Sequence, residues 1–93
     1  MLPENRIATH PGEVLREEFL APAGLTADDL ARHLGVDQSH IADIVAEHGP
    51  VTAELAWLLA MAFGTSPEFW LRLQATHDLT KTRPAREVAR LVG

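Results

Sequence analysis

The chain contains no cysteine and no tyrosine among its 93 residues, and aromatic side chains make up only 5% of it. Without cysteine, neither a disulfide framework nor a thiolate metal site is available, as suits a reducing compartment. No stretch approaches the roughly 18 consecutive apolar residues that span a bilayer. The opening MLPENRIATHPGE also lacks the apolar centre of a signal peptide. The expectation is a soluble, cytoplasmic protein with no membrane partner. Catalytic parts are equally scarce: there is no Gly-rich phosphate loop and no nucleophile set beside a base. Glu17 and Glu18 are adjacent, so they point apart on a helix, and His10 and His77 have no acid at ligand spacing beyond neighbouring Asp78. No enzymatic activity, metal or cofactor is expected. The alternation that marks strands is missing as well.

What is present is helical periodicity with clear punctuation. Apolar residues make up 46% of the chain, enough for the single modest core of one small domain. Residues 1 to 10, with Pro3, read as an extended arm. Pro11 at a first helical position and Glu13 in the first turn start a helix that runs to about residue 20. Val14, Leu15 and Phe19 face its core side, Arg16, Glu17 and Glu18 face water, and Pro22 and Gly24 stop it. Thr26 caps a second helix with Asp29 as a weak capping box, and Asp37 caps a third. A loop follows at 48–51, then a helix over 53–63 capped by Thr52 and ended by Gly64. Ser66 and Pro67 start a fifth helix carrying Phe69, Trp70, Leu73 and His77 at helical spacing. Beyond Pro84, AREVARLV is either a basic tail or a short sixth helix with Val88 and Leu91 on one side.

The second and third helices form a helix-turn-helix. Leu30, Ala31 and Leu34 share one face of the first, Gly35 opens the turn, Val36 plugs it, and Ile41, Ile44 and Val45 form the buried stripe of the second. Ala31 is small where the helices cross and Gly35 tolerates the turn's backbone. Gln38, Ser39, Ala42 and Asp43 are left to face a groove. The charge opposes that geometry. Residues 25 to 52 hold one arginine, Arg32, against Asp28, Asp29, Asp37, Asp43 and Glu47, and the whole chain carries −5. Duplex affinity comes largely from neutralising phosphates. From residue 53 onward the balance reverses, with Arg72, Lys81, Arg83, Arg86 and Arg90 against Glu54, Glu68, Asp78 and Glu87, a segment able to meet a partner or phosphates.

The run HPGEVLREEFL at 10–20, the helix-turn-helix, and GTSPEFWLRLQATHDL at 64–79 together resemble HigA-type antitoxins, the virulence-associated protein I-like group of helix-turn-helix XRE proteins. The resemblance covers about residues 10 to 79. It implies an all-α, five- to six-helix, lambda-repressor-like domain: an arm over 1–10, a helix-turn-helix domain with a dimerising helix over 11–80, and a basic tail or short helix over 81–93. It further implies an antitoxin of a type II toxin–antitoxin module that neutralises a HigB-type mRNA endonuclease and represses its own operon as a homodimer. The DNA-contacting residues would be Thr26, Arg32, Gln38, Ser39, His40 and Asp43, with Ala27 beside the phosphates. The dimer seam would hold Phe69, Trp70, Leu73 and His77, and toxin contacts would fall on Arg16, Glu17, Leu58 and Met61.

Departures from the group's pattern bear on DNA binding. Where relatives carry Asn-Gly-Lys-Arg after the reading helix, this chain has Ala46, Glu47, His48 and Gly49, and positions often held by arginine on the fourth helix are Leu58 and Met61. With only Arg32 in each reading head, a dimer neutralises about 2 phosphates, for a slope of log affinity against log salt near −2. Backbone amides at helix starts and a Gln38–adenine pair still permit specific binding. If they sit beside DNA, His40 and His48 would add charge there at mildly acidic pH. AELAWLLAMAF at 53–63 is apolar around nearly its whole circumference, as a core helix or a partner-binding helix would be. Two functions stay open: an operator-binding autorepressor that also neutralises a toxin, and a protein-interaction module whose acidic helix-turn-helix is only a scaffold with weak or no DNA binding.

Overall fold

Among residues 6–93, which the computed structural model describes, five helices follow one another and no strand is present. The first, α1, runs without a break through Pro11–Val14, a π-helical stretch Leu15–Leu20, and Ala21–Ala23. It is followed by α2 (Ala27–Leu34), α3 (Gln38–Val45), α4 (Ala53–Phe63) and α5 (Pro67–Lys81). The all-α expectation holds. Of the expected arm, residues 1–5, Pro3 included, lie outside the described residues, while 6–10 are non-helical.

Local chemistry sets most of the boundaries. Thr26 and Asp29 form a reciprocal capping box, with Asp29 N–H donating to Thr26 Oγ1 at 3.1 Å and Thr26 N–H to Asp29 Oδ2 at 2.9 Å. Asp37, Thr52 and Ser66 cap α3, α4 and α5 by accepting backbone N–H bonds. Gly35 ends α2 in the left-handed conformation, φ 71°, and lets Val36 N–H reach Ala31 O at 3.0 Å.

Two features depart from the sequence reading, and a third decides between its alternatives. Pro22 does not stop α1, which continues to Ala23 and closes at Gly24. The wider π-turn before it, in which Ala21 N–H bonds Arg16 O, changes which carbonyls the proline ring meets. Arg16 stays only partly in water. Its guanidinium turns back, donating to Val45 O at the end of α3 and to Glu47 Oε2 at 3.4 Å. Finally, no sixth helix follows Lys81, and Val88, Leu91 and Val92 remain exposed. A short helix with no surface to bury its apolar side has nothing to offset its nucleation cost.

Leu15, Ile41, Ile44, Leu59 and Trp70 form the fully buried centre, joined by Leu30, Ala31, Leu55 and Ala56. This core locks α1 against α3 at Gly12, where an added Cβ would lie 1.7 Å from Ile44 O. Only a residue without a side chain lets the two backbones approach so closely. The reading helix is therefore braced from behind.

Candidate nucleic-acid interface

Short polar side chains start α3 because Asp37 holds its first turn. Asp37 Oδ1 accepts from Ser39 N–H at 3.2 Å and from the Ser39 hydroxyl at 3.1 Å. Ile41 and Ile44 are buried, so the opposite side of the helix must face out. Gln38, Ser39, His40, Ala42 and Asp43 are all exposed there. Thr26, at the start of α2, is also exposed, and its hydroxyl is engaged in the capping box. The crossed pair thus presents two helix N-termini and one polar face, the arrangement that lets a recognition helix enter a major groove.

Electrostatics work against this shape. Arg32, the head's cation, pairs with Asp29 at 3.0 Å. The backbone N–H of Thr26 is the main cause, with the Thr26 hydroxyl and Arg32 behind it, that holds the Asp29 carboxyl below the usual carboxylate range. Asp29 therefore stays charged beside Arg32, and a phosphate must compete for that guanidinium.

The end of α3 is unusual. Glu47 adopts φ 65°, the left-handed position that glycine takes at the ends of α1, α2 and α4. Its N–H bonds Ile44 O at 2.9 Å and the next, His48 N–H, bonds Asp43 O at 2.9 Å. A side chain in this conformation costs about 1 kcal/mol, and the Arg16 guanidinium meets the carboxylate. The sequence marks Glu47 as a departure, but its backbone angle and its Arg16 partner are tertiary facts.

The C-terminal helix is tied to the loop leaving α3. Gln74, buried, accepts from Val51 N–H at 2.7 Å and donates to Asp78 Oδ1 at 2.9 Å. Residues 8–10 cross the same end of α5. Ala8 N–H donates to Thr80 Oγ1, and the His77 ring lies 2.8 Å from Ala8 O through Nδ1. Buried His10 stacks edge-on against His77 at 4.7 Å and caps α1 by accepting Gly12 N–H at 2.8 Å. Burial, with His77 behind it, pushes the His10 pKa down. None of these long-range roles was visible in residue order alone.

The residues expected at a seam on α5 lie at different depths. Trp70 is 0% exposed, its indole N–H donating to Thr65 Oγ1 at 2.8 Å, so no surface of it is left for a second copy. His77 is half-buried under the arm, and Leu73 packs partly against the core. Phe69 remains at the surface, in ring contact with Phe19 and Trp70. The outward face of α5 carries Leu71, Ala75 and Leu79 at i, i+4 and i+8, with Leu79 58% exposed. On α4, Trp57 and Met61 are 60% and 70% exposed one turn apart, while Leu58 packs against the core. Glu17, on α1, is exposed and pairs with Arg16 at 3.1 Å. No helix among the described residues is long and apolar enough to cross a membrane.

Comparison with known proteins agrees with this architecture. Residues 15–70 match the helix-turn-helix family HTH_3. Virulence-associated protein I of Dichelobacter nodosus is 47% identical over 72 residues, which cover 77% of this chain and 67% of that protein. Antitoxin HigA-1 of Vibrio cholerae is 43% identical over 72 residues, covering 77% and 68%. The solved structure of antitoxin GraA in complex with its operator superposes with a TM-score of 0.87 at 39% identity and covers 100% of both chains. The chain belongs to the HTH_3 helix-turn-helix family, in the group that includes virulence-associated protein I and the HigA antitoxins.

Proposed function

We propose that this chain is a cytoplasmic antitoxin that binds operator DNA as a homodimer, represses its own operon and neutralises a HigB-type toxin. This is a binding function, not a catalytic one. The observation that carries it is the outward polar face of α3, Gln38, Ser39, His40 and Asp43, set on a braced α2–α3 crossing. Gln38 reads a base edge, Ser39 and His40 flank it, and Asp43 accepts from a base amine. Thr26 brings the α2 N-terminus to a phosphate, and Arg32 exchanges Asp29 for a second one. Operator-bound relatives such as GraA support this reading.

Dimerisation places Leu71, Ala75 and Leu79 against the same stripe of a second copy, with Phe69 at the margin, as an isologous contact requires. The toxin meets the acidic body of the chain, and the net charge of −5 steers it toward a basic partner. Glu17 on α1 and Met61 on α4, with adjoining Trp57, supply the exposed contacts, while Arg16 and Leu58 hold those surfaces in place.

Fluorescence anisotropy with the DNA upstream of the gene tests the reading directly. Binding tighter than to random duplex, lost in Gln38→Ala, supports it, and equal affinity for both duplexes rejects it. Co-purification with the product of the neighbouring gene tests the toxin half separately.

A further inference from the structure

The reading head has the shape for duplex DNA but only Arg32 as a cation, so most phosphate neutralisation must come from elsewhere in the chain. We infer that the C-terminal end of α5 and the tail after it form a backbone-binding strap, with Lys81, Arg86 and Arg90 neutralising phosphates beside the groove that α3 enters. This rests on the operator reading above and adds to it a site outside the helix-turn-helix.

Three observations carry it. Charge is segregated along the chain: residues 82–93 hold Arg83, Arg86 and Arg90 against Glu87 alone, a net of +2, so the other 81 residues carry −7 of the total −5. Position is the second. Lys81 lines a cavity of about 130 Å³ together with Glu47, His48 and Gly49, so the basic segment begins at the loop where α3 ends. The Gln74–Val51 hydrogen bond fixes that neighbourhood. A recognition helix of this kind meets base edges with its N-terminal residues, so the far end of the 8-residue α3 and the loop after it lie toward the groove's edge, where the backbone runs. Third, the N-terminal segment adds to the same cluster, since Arg6 and Arg83 line one hollow of about 270 Å³ with Thr80.

Reach is sufficient. Residues 82–93 are non-helical and exposed, and extended chain covers about 3.3 Å per residue, enough for this segment to run past several phosphates of one strand. The tail thus follows the backbone without reading bases. It is also distinct from the Leu71–Leu79 stripe, so the two contacts operate together.

The test is the triple variant Lys81→Gln, Arg86→Gln, Arg90→Gln, with the slope of log affinity against log salt measured on operator and on random duplex. The slope becomes shallower by about 0.9 per lost contact, hence by about 5 for a dimer losing six cations. Both DNAs lose affinity alike, and sedimentation still shows the wild-type oligomer. An unchanged slope overturns the strap. So does a tail that serves a second copy instead, seen as loss of the dimer in Val88→Asp, Leu91→Asp while the triple variant keeps the wild-type slope. A wild type that binds random duplex with a steep slope, yet shows no preference for its upstream DNA, retains the strap and rejects the operator reading alone.

Discussion

The α2–α3 crossing and the C-terminal end of the chain divide between them what one surface usually provides. The crossing has two capped N-termini, an exposed Gln38 and a rigid brace at Gly12, but it sets Arg32 against five carboxylates. Residues 82–93 have no regular structure but carry three arginines and a single glutamate. Orientation and attraction are separate physical requirements, met here by separate segments. Base contacts need fixed geometry, whereas phosphate contacts need charge within reach. A head crowded with acids is therefore compatible with DNA binding when an exposed cationic segment starts alongside it.

The most damaging change is expected at the brace. In Gly12→Ala the new methyl meets Ile44 O, forcing α1 and α3 apart. The loss is about 3 kcal/mol in urea denaturation, and operator affinity falls with it although no charge has changed. Next, Gln38→Ala removes about 1 to 3 kcal/mol of discrimination between operator and random duplex, leaving the salt slope untouched. At the join between the two regions, Glu47→Gly relieves the left-handed strain at φ 65° and removes a carboxylate from the groove's edge. It raises stability by about 1 kcal/mol, less the weak, half-exposed Arg16 pair, and tightens DNA binding a few-fold.

The smallest effect concerns the arm. His10 has its pKa lowered from 6.5 by burial, so the unfolded chain takes up that proton first as pH falls. Its contribution is full above pH 6.5 and is lost as pH drops below that value. In His10→Asn the amide oxygen can accept the Gly12 N–H in place of the imidazole, with nothing to titrate. Thermal unfolding at pH 5 and pH 7 should show a smaller pH-dependent drop in the variant than in the wild type.

Much of the fold was legible because its signals are local. Thr26, Asp37, Thr52 and Ser66 cap helices through bonds spanning two or three residues, and Gly24, Gly35 and Gly64 end them through their own backbone angles. The polar face of α3 followed in the same way from the spacing of Ile41 and Ile44. What the sequence hid depends on contacts between distant residues. Arg16 reads as a solvated charge until the end of α3, 29 residues away, is brought beneath it. Trp70 and Leu71 are neighbours, and it is tertiary packing, with Phe19 of α1 against the indole, that turns Trp70 in and leaves Leu71 out. The choice of tail over short helix at the C-terminal end has the same cause in reverse, since AREVARLV has the periodicity but no surface to receive it.

The most direct measurement is the salt dependence of wild-type binding to the upstream duplex. A slope steeper than about −4, well beyond what two Arg32 side chains supply, is what phosphate contacts from outside the reading head predict. A slope near −2 alongside genuine operator preference would mean that the head binds unaided, and would contradict the division of labour described above.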